Sequence, residues 1–262
     1  MKIFESSEDL QFFLDSYKNN HKKVTLVPTM GGLHDGHLRL IEKAKTLADV
    51  VVVSIFVNPT QFSKGEDFES YPKNFTNDKA LLVERGVDVL FIPSKSEIYP
   101  NGTLSNYEVG AMGQILCGVF RPFHFNGVAQ VVKRLFDIVK PDYSVFGEKD
   151  FQQLLIIKSL VKNLDLRVSI ESVATQRESD NLAMSTRNQY LNIKNRKKAP
   201  LFYRQLSKAK AAIEQGNSIE LVKQKALSKL SVDFEVEYFE VLNANNLTQI
   251  ATNTAEIIII SA

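Results

Sequence analysis

The sequence predicts an α/β fold built on a doubly wound parallel sheet with helices on both faces. Short runs rich in Val, Ile and Phe recur over the first 175 residues, and segments with apolar residues at helical spacing separate them. The runs are apolar at successive positions, which is typical of strands buried on both faces of a parallel sheet. Right-handed crossovers then place helices on both sides, so the predicted arrangement is Rossmann-like.

Five strands and four helices are predicted in this part of the chain. The strands are Val24–Val27, Val50–Val57, Val87–Ile92, Tyr143–Phe146 and Leu166–Val173. The helices are Leu38–Ala48, Asn77–Arg85, Gly127–Val139 and Phe151–Leu164. Because the carboxyl ends of parallel strands lie at one edge of the sheet, the loops that follow them are expected to form a ligand site there.

The composition changes after Leu191, where a smaller C-terminal α+β unit is predicted. Its helices are Lys194–Gln215 and Ile219–Leu230, and its strands are Phe234–Leu242 and Glu256–Ile260. This unit can cap the sheet domain. We therefore expect a first domain of residues 1–175 and a second domain of residues 176–262, with the boundary within Val173–Arg187.

The composition excludes several classes of protein. With 262 residues, 44% hydrophobic and 24% charged, the chain resembles an ordinary globular protein. It has no apolar run of bilayer-spanning length and no signal-peptide pattern at residues 1–8. The single cysteine, Cys117, excludes an internal disulfide and a cysteine-cluster zinc site and fits a reducing cytoplasm. A net charge of +2 does not favour nucleic acid or an anionic membrane as a partner.

The glycine-rich turn after the first strand carries the strongest chemical signal. His34 and His37 flank Gly36 between the end of a strand and the start of a helix. Gly31 and Gly32 allow the backbone to approach a ligand closely, and Gly36 keeps the space between the imidazoles empty. This pattern favours a nucleoside triphosphate, whose phosphate oxygens the imidazoles can contact. The alternative is a helix cap or a surface residue, but two of the chain's four histidines in one turn favour function.

Polar residues also follow the second strand. Asn58 and Gln61 are expected at the same edge of the sheet as His34, and their amides suit an uncharged hydroxyl group of a substrate. Taken alone, this pattern favours an Asn-Pro turn with a surface glutamine.

The turn after the fourth strand contains a cation. Gly147 opens the turn, and Lys149 supplies a point charge for phosphate. Asp150 or Glu148 can cap the next helix or contact a magnesium-bound ligand, and Gln153 lies in the first turn of that helix. The alternative is a capped helix start with a surface ion pair.

The loop at the predicted domain boundary combines two hydroxyls with a guanidinium. Ser185, Thr186 and Arg187 can surround a triphosphate and stabilise a leaving pyrophosphate. A solvated interdomain linker is the alternative, and the loop can also move as a lid.

The segment before the helix Gly127–Val139 is ambiguous. Asn126 is predicted as the N-cap, whereas Arg121 and His124 either contact a substrate or hold the loop. His21 is interpreted as solvated, and Cys117 as a packing residue.

Taken together, these segments resemble the pantoate–β-alanine ligases, or pantothenate synthetases, of the nucleotidyltransferase superfamily with a His-x-Gly-His motif. The matching segments occur in family order and cover most of residues 24–191. They are Pro28–His37, Ser54–Phe62, Glu66–Lys73, Arg121–Val128, Pro141–Gln153 and Leu182–Asn188.

The resemblance implies a two-step ligation. The (R)-pantoate carboxylate attacks the α-phosphorus of ATP and gives pantoyl adenylate and pyrophosphate, and β-alanine then gives pantothenate and AMP. Mg²⁺ is expected to arrive with ATP, no protein ligand is assigned to it, and no tightly bound prosthetic group is expected. The family resemblance also implies a cytoplasmic homodimer with a Rossmann-type domain and a smaller lid domain.

The resemblance further implies roles for individual residues. His37, His34, Lys149 and Arg187 would be catalytic, with His37 as the proton donor. The ATP site would comprise Met30, Gly31, Gly32, Leu33, His34, Asp35, Gly36, His37, Gly147, Glu148, Lys149, Asp150, Gln176, Met184, Ser185, Thr186 and Arg187. Pantoate and β-alanine would bind at Gln61, Gln153 and Asn58.

The chain departs from the family pattern at five positions. Phe123 and Asn181 stand where the family usually has Gly, and Cys117 stands where it has Glu. Thr186 replaces a common Ser, and Gln176 replaces a common Val. None of these changes removes a residue that is assigned to the chemistry.

Other functions remain open. A phosphopantetheine adenylyltransferase of the same superfamily would share the histidine turn, but the pair Gln61 and Gln153 favours a small hydroxy acid. A nucleotide-binding relative without turnover would bind ATP and release no AMP. A class I aminoacyl-tRNA synthetase fragment shares the chemistry, but the chain lacks an evident basic extension for tRNA.

Overall fold

The computed structural model describes residues 1–103, 108–250 and 256–262. Its strands are β1 (Lys2–Phe4), β2 (Val24–Thr29), β3 (Val50–Ile55), β4 (Val89–Phe91), β5 (Tyr143–Gly147), β6 (Ser169–Val173), β7 (Phe239–Asn243) and β8 (Ile257–Ser261). Its α-helices are α1 (Ser7–Lys18), α2 (Asp35–Lys45), α3 (Phe75–Glu84), α4 (Lys95–Ile98), α5 (Cys117–Phe120), α6 (His124–Val139), α7 (Phe151–Asn163), α8 (Ile193–Lys198), α9 (Pro200–Glu214) and α10 (Ile219–Leu230). Short 3₁₀ helices occupy Pro59–Gln61, Ala111–Gln114, Glu148–Asp150 and Thr186–Tyr190.

Six strands form one parallel sheet in the order β1-β4-β3-β2-β5-β6. The predicted doubly wound α/β fold is therefore confirmed. The strand order reverses between β2 and β5, so the loops that follow these two strands run in opposite directions. Such a switch point opens a crevice at the carboxyl edge of the sheet.

The sequence interpretation missed the strand β1, the helix α1 and the two short helices α4 and α5. β1 has only three residues, too few to show a periodicity, and pairs with β4 in the register Lys2 to Val89. α1 has an N-cap, Ser6, whose Oγ accepts from the Asp9 amide at 3.3 Å. This cap and the buried Leu10 and Leu14, one turn apart, are helix signals that the sequence carries.

Each face of the sheet has its own hydrophobic core. α1, α6 and α7 cover one face, where Leu10, Ile138 and Ile157 are buried. α2 and α3 cover the other face, where Ile41 and Leu82 are buried. Burying each such side chain contributes about 1.5–3 kcal/mol. Over the described residues, no helix combines the length and the apolar character that crossing a membrane requires.

The C-terminal region differs from the prediction in two details. The helix predicted over Lys194–Gln215 is two helices, because Pro200 lacks an amide hydrogen and favours the first turn of a new helix. The predicted strand Phe234–Leu242 is shorter, since β7 begins at Phe239. β7 and β8 are antiparallel and pack with α9 and α10 around a separate apolar cluster. The division into domains at residue 175 remains our proposal.

α6 begins earlier than predicted, at His124, so Asn126 lies inside the first turn and the prediction that it is the N-cap is wrong. The residue at the N-cap position is Phe123, with a left-handed φ of 67°. Asn181 also has a left-handed φ, of 72°. Glycine adopts this conformation without strain, which gives a physical reason for the family's glycine at both positions.

Replacing Phe123 with glycine is expected to raise the free energy of unfolding by about 1 kcal/mol, because the left-handed conformation strains a residue that has a Cβ. The phenyl ring is 80% exposed, so little packing is lost. Asn181→Gly is the matched control, since asparagine tolerates this conformation and the gain should be smaller. Urea denaturation measures both, and a loss of stability in Phe123→Gly would contradict the argument.

Candidate active site

A cavity of about 190 Å³ lies in the crevice between β2 and β5. Most of the predicted nucleotide-binding residues line it. They are Met30, His34, Gly36, His37, Gly147, Lys149, Asp150, Gln176, Met184, Ser185, Thr186 and Arg187, and Gln153 joins them. Tyr71 and Thr175, which were not predicted, also line the cavity. The structure thus brings together segments from the turns after β2, β5 and β6.

His34 and His37 hold each other in a fixed arrangement at the start of α2. His34 is the N-cap, and its Nδ1 accepts from the Gly36 amide at 3.1 Å. Nδ1 of His37 accepts from the His34 amide at 3.3 Å, and the two ring centroids are 4.1 Å apart. Because a ring nitrogen that accepts a hydrogen bond carries no proton, each neutral ring has its proton on Nε2. The alternative interpretation, a helix cap, is therefore also correct for His34. In each ring Nε2–H is the remaining donor, and both residues line the cavity.

Both imidazoles are neutral near pH 7. Burial, with a smaller contribution from the adjacent His34 ring, lowers the pKa of His37 to about 3. Burial and the nearby Lys149 ammonium lower the pKa of His34. The pair can therefore donate hydrogen bonds without bringing a positive charge of its own.

The lowered pKa of His37 predicts a pH dependence of stability. The unfolded chain binds this proton below about pH 6.5, whereas the folded chain does so only near pH 3. The free energy of unfolding should therefore fall on acidification below pH 6.5, by up to about 1.4 kcal/mol per pH unit. Urea denaturation at pH 7, 6 and 5 measures the slope. His37→Gln should reduce it, and the exposed His21→Gln should not; equal slopes in all three proteins would contradict this assignment.

Gly36 leaves room for the His34 ring. A Cβ at this position would lie 2.8 Å from Cε1 and 2.9 Å from Nδ1 of His34. Any side chain would displace the His34 ring. The prediction that Gly36 keeps space for the imidazoles is therefore confirmed for His34.

The glycine-rich turn closes around a side chain of the protein. The amides of Gly32 and Leu33 donate to the two carboxylate oxygens of Asp78 at 2.8 and 2.7 Å. Left-handed φ angles at Gly31 and Gly32 direct successive amides to one point. Gly31, Gly32, Leu33 and Asp35 do not line the cavity of about 190 Å³, and their contact with the nucleotide stays a prediction. The close approach that the glycines permit is to Asp78.

Lys149 is the cation that the turn after β5 brings to the cavity. Its Nζ lies 3.3 Å from Oδ1 of Asp150, and its side chain is 40% exposed. Asp150 occupies the N-cap position of α7 without a capping hydrogen bond, and Glu148 accepts from Ser172 Oγ at 2.8 Å. Asp150 therefore occupies the predicted N-cap position without a capping hydrogen bond from its side chain, and Glu148 does not cap α7. Glu148 does not line the cavity of about 190 Å³, and its contact with the nucleotide stays a prediction.

The loop with Ser185, Thr186 and Arg187 is anchored at two places. Nε and Nη2 of Arg187 donate to the Asp67 carboxylate, each at 2.9 Å, and this lowers the pKa of Asp67. Oγ1 of Thr186 donates to the Gly32 carbonyl at 2.9 Å. Sequence reasoning missed Asp67, although it lies in a segment that resembles the family. These contacts hold the loop over the cavity.

Asn58 is a buried scaffold residue, only 1% exposed. Its Nδ2 donates to the Gly127 carbonyl at 3.1 Å and to Gln61 Oε1 at 3.2 Å, and its Oδ1 accepts from Thr60 and from the Tyr99 hydroxyl. Because these partners within the protein occupy its amide, the prediction that Asn58 contacts substrate is revised. It orients Gln61, whose Nε2 lies 3.1 Å from Met30 Sδ.

Arg121 and His124 hold the segment that carries Gln61. Arg121 forms a two-point ion pair with Glu66 at 2.7 and 2.8 Å. Nδ1 of His124 lies 2.7 Å from the Gln61 carbonyl oxygen. These contacts favour holding the loop, one of the two roles left open by the sequence. Both residues also line a larger cavity of about 390 Å³, so contact with a substrate stays a prediction.

A second, larger cavity of about 390 Å³ adjoins the first. The two cavities share four lining residues, namely Lys149, Asp150, Gln153 and Thr175. The other walls include Phe202, Tyr203 and Tyr238 from the C-terminal region. Lys149 and Gln153 therefore lie between two adjacent cavities.

Comparisons with known proteins show which family the chain belongs to. The family model for pantoate-beta-alanine ligase matches residues 2–262. The pantothenate synthetase of Vesicomyosocius okutanii is 48% identical over 262 residues, covering 100% of this chain and 93% of that protein. The structure of the pantothenate synthetase from Thermus thermophilus has a TM-score of 0.92 at 39% identity, covering 100% of this chain and 95% of that one.

A further structure is the pantoate-beta-alanine ligase from Francisella tularensis, complexed with beta-gamma ATP and beta-alanine. Its TM-score is 0.79 at 37% identity, and the match covers 92% of this chain and 89% of that one. The family match over nearly the whole sequence and the full-length relatives lead to one conclusion. This chain belongs to the pantoate-beta-alanine ligase family, the ligases that form the amide bond of pantothenate.

Proposed function

We propose that this protein condenses (R)-pantoate with β-alanine in an ATP-dependent reaction, through a pantoyl-adenylate intermediate, and releases AMP and pyrophosphate. The observation that carries the proposal is the cavity in which two neutral imidazole donors, Lys149 and the loop Ser185–Arg187 converge. Support also comes from the Francisella tularensis relative, which was complexed with beta-gamma ATP and beta-alanine.

In the first step, a pantoate carboxylate oxygen attacks the α-phosphorus, and the bond to the bridging oxygen of pyrophosphate breaks. The carboxylate is already ionised, so the step needs alignment and stabilisation of charge more than a base. Lys149 and Arg187 would neutralise charge on the phosphates, and Nε2–H of His37 and His34 would donate to phosphate oxygens. Mg²⁺ would enter with ATP as part of the substrate.

In the second step, the β-alanine amine attacks the acyl carbon of the adenylate. The amide bond forms, the bond to AMP oxygen breaks, and the amine loses a proton. Adenylation is what makes this step feasible, because it converts a carboxylate oxygen into a good leaving group. Gln61 and Gln153 would hold pantoate, and Gln61 would help to place β-alanine. The larger cavity beside Gln153 offers the amine a route to the acyl carbon.

Release of AMP and pyrophosphate from Mg-ATP with (R)-pantoate, measured with and without β-alanine, tests the proposal. Sustained AMP release that needs both acids, with accumulation of pantothenate, is the expected result. ATP binding without any turnover would instead identify a nucleotide-binding relative. We also propose a cytoplasmic homodimer, and analytical ultracentrifugation tests the second part of that statement.

A further inference from the structure

Asp78 is a buried carboxylate that the proposed chemistry does not use. It lies in the first turn of α3, and its side chain is 2% exposed. The ion pairs among the described residues do not include it. Because burying a charge without a partner is costly, the hydrogen bonds it accepts must offset that cost.

Those hydrogen bonds come from two successive amides of the turn before His34. The amides of Gly32 and Leu33 reach one carboxylate oxygen each, at 2.8 and 2.7 Å. The fit is close, since a Cβ on Gly31 would lie 3.1 Å from Oδ2 of Asp78. Hydrogen bonds to an ionised acceptor are about twice as strong as neutral ones.

The two amides that donate to Asp78, those of Gly32 and Leu33, directly precede His34 in the chain. Leu33 precedes His34, whose own amide donates to Nδ1 of His37 and so keeps the proton of that ring on Nε2. A shift of the backbone at Leu33 would move the His34 amide away from His37. The direction of the donors and the choice of tautomer therefore both depend on the position of the turn.

We propose that Asp78 is a positioning residue for the His34–His37 pair: its carboxylate fixes the turn so that both rings present Nε2–H to the phosphates. The inference rests on the proposed function, since it assigns the donors to the nucleotide. In this assignment Asp78 acts only through the backbone of the turn and contacts neither ring.

Asp78→Asn tests the inference, because asparagine keeps the shape but offers only one acceptor to two amides. We expect kcat for pyrophosphate release to fall about 100-fold while KM for ATP changes less than about threefold. The ¹⁵N chemical shifts of the ring nitrogens, recorded without substrate, should show mixed tautomers for His34 and His37 in the variant and Nε2–H alone in the wild type. Asp88→Asn is the matched control: Asp88 Oδ2 accepts from the Val51 amide at 2.8 Å at the opposite edge of the sheet.

An unchanged kcat and unchanged tautomers in folded Asp78→Asn would overturn the inference. If this variant does not fold, Asp78→Glu provides the second test, since it retains both acceptors and shifts them by one methylene group. Unaltered turnover and unaltered tautomers in Asp78→Glu would likewise overturn the inference. An inactive wild type would refute the proposed function instead, and the tautomer measurement distinguishes the two failures because it needs no turnover.

Discussion

Replacing Lys149 with alanine is expected to lower the rate of pyrophosphate release by about 10²–10³-fold, the usual cost of removing one group that stabilises developing charge. Lys149 is the cation shared by the two cavities. Stability should change by no more than about 0.5 kcal/mol, because the side chain is 40% exposed and its ion pair with Asp150 is a surface contact. Single-turnover pyrophosphate release measures the first effect, and urea denaturation measures the second.

The control for this variant is Lys158→Ala, which removes a lysine from the exposed side of α7, the helix that follows the same turn. It should keep the wild-type rate. Lys149→Arg offers a finer comparison, since a planar guanidinium replaces a point charge and should restore only part of the rate. Wild-type adenylation in folded Lys149→Ala would remove this residue from the mechanism.

Replacing Gly32 with alanine should be the most destabilising single change in the turn. Gly32 has a left-handed φ of 63°, and a methyl group would collide with Cγ2 of Thr186 and lie 3.0 Å from the Pro72 carbonyl oxygen. The backbone strain and the overpacking together are expected to lower the free energy of unfolding by about 2–5 kcal/mol. Because Thr186 adjoins Arg187, adenylation should also slow by about tenfold or more, since small displacements of catalytic groups are costly.

Gly216→Ala separates the two causes. Gly216 also has a left-handed φ, of 84°, but the space around its Cβ position is open to 4 Å. Gly216→Ala should therefore lower the free energy of unfolding by only about 1–2 kcal/mol, the cost of the backbone strain. Urea denaturation of both variants gives the cost of the collision as the difference between them. If the two variants lose the same free energy of unfolding, Thr186 moves aside without cost. The statement that Thr186 anchors its loop would then be wrong.

The elements of the sheet were predictable because their signals are local. Val50–Ile55 is almost entirely apolar, and the helix over Phe151–Asn163 differs from the prediction by one residue. Several boundaries differ by two or three residues, and one of them depends on backbone conformation. The start of α6 at His124 follows from the left-handed Phe123, a conformation that a phenylalanine does not signal.

The candidate site was predictable only in part, for a related reason. Each segment that ends a strand carries its own chemistry, so Lys149 and the histidine pair could be proposed from the sequence. Their supporting partners lie far away in the chain. Asp78 is 46 positions from Gly32, and Asp67 is 120 positions from Arg187. Such pairings follow from the fold, and without it an acidic residue in a helix or a loop is indistinguishable from a solvated one.

The position of β1 at the edge of the sheet bears on how the chain folds as it is synthesised. Its partner β4 contributes Val89, Leu90 and Phe91, so β1 leaves the ribosome long before the strand with which it pairs. The contact of α1 with α6 forms later still, because Lys18 Nζ donates to the Val139 carbonyl at the end of α6. β2 and β3, joined by the single helix α2, can pair first. The segment of β1 and α1 is thus secured only after β2 and β3 have paired, although it precedes them in the chain, and β5 and β6 join the opposite side of the sheet later still.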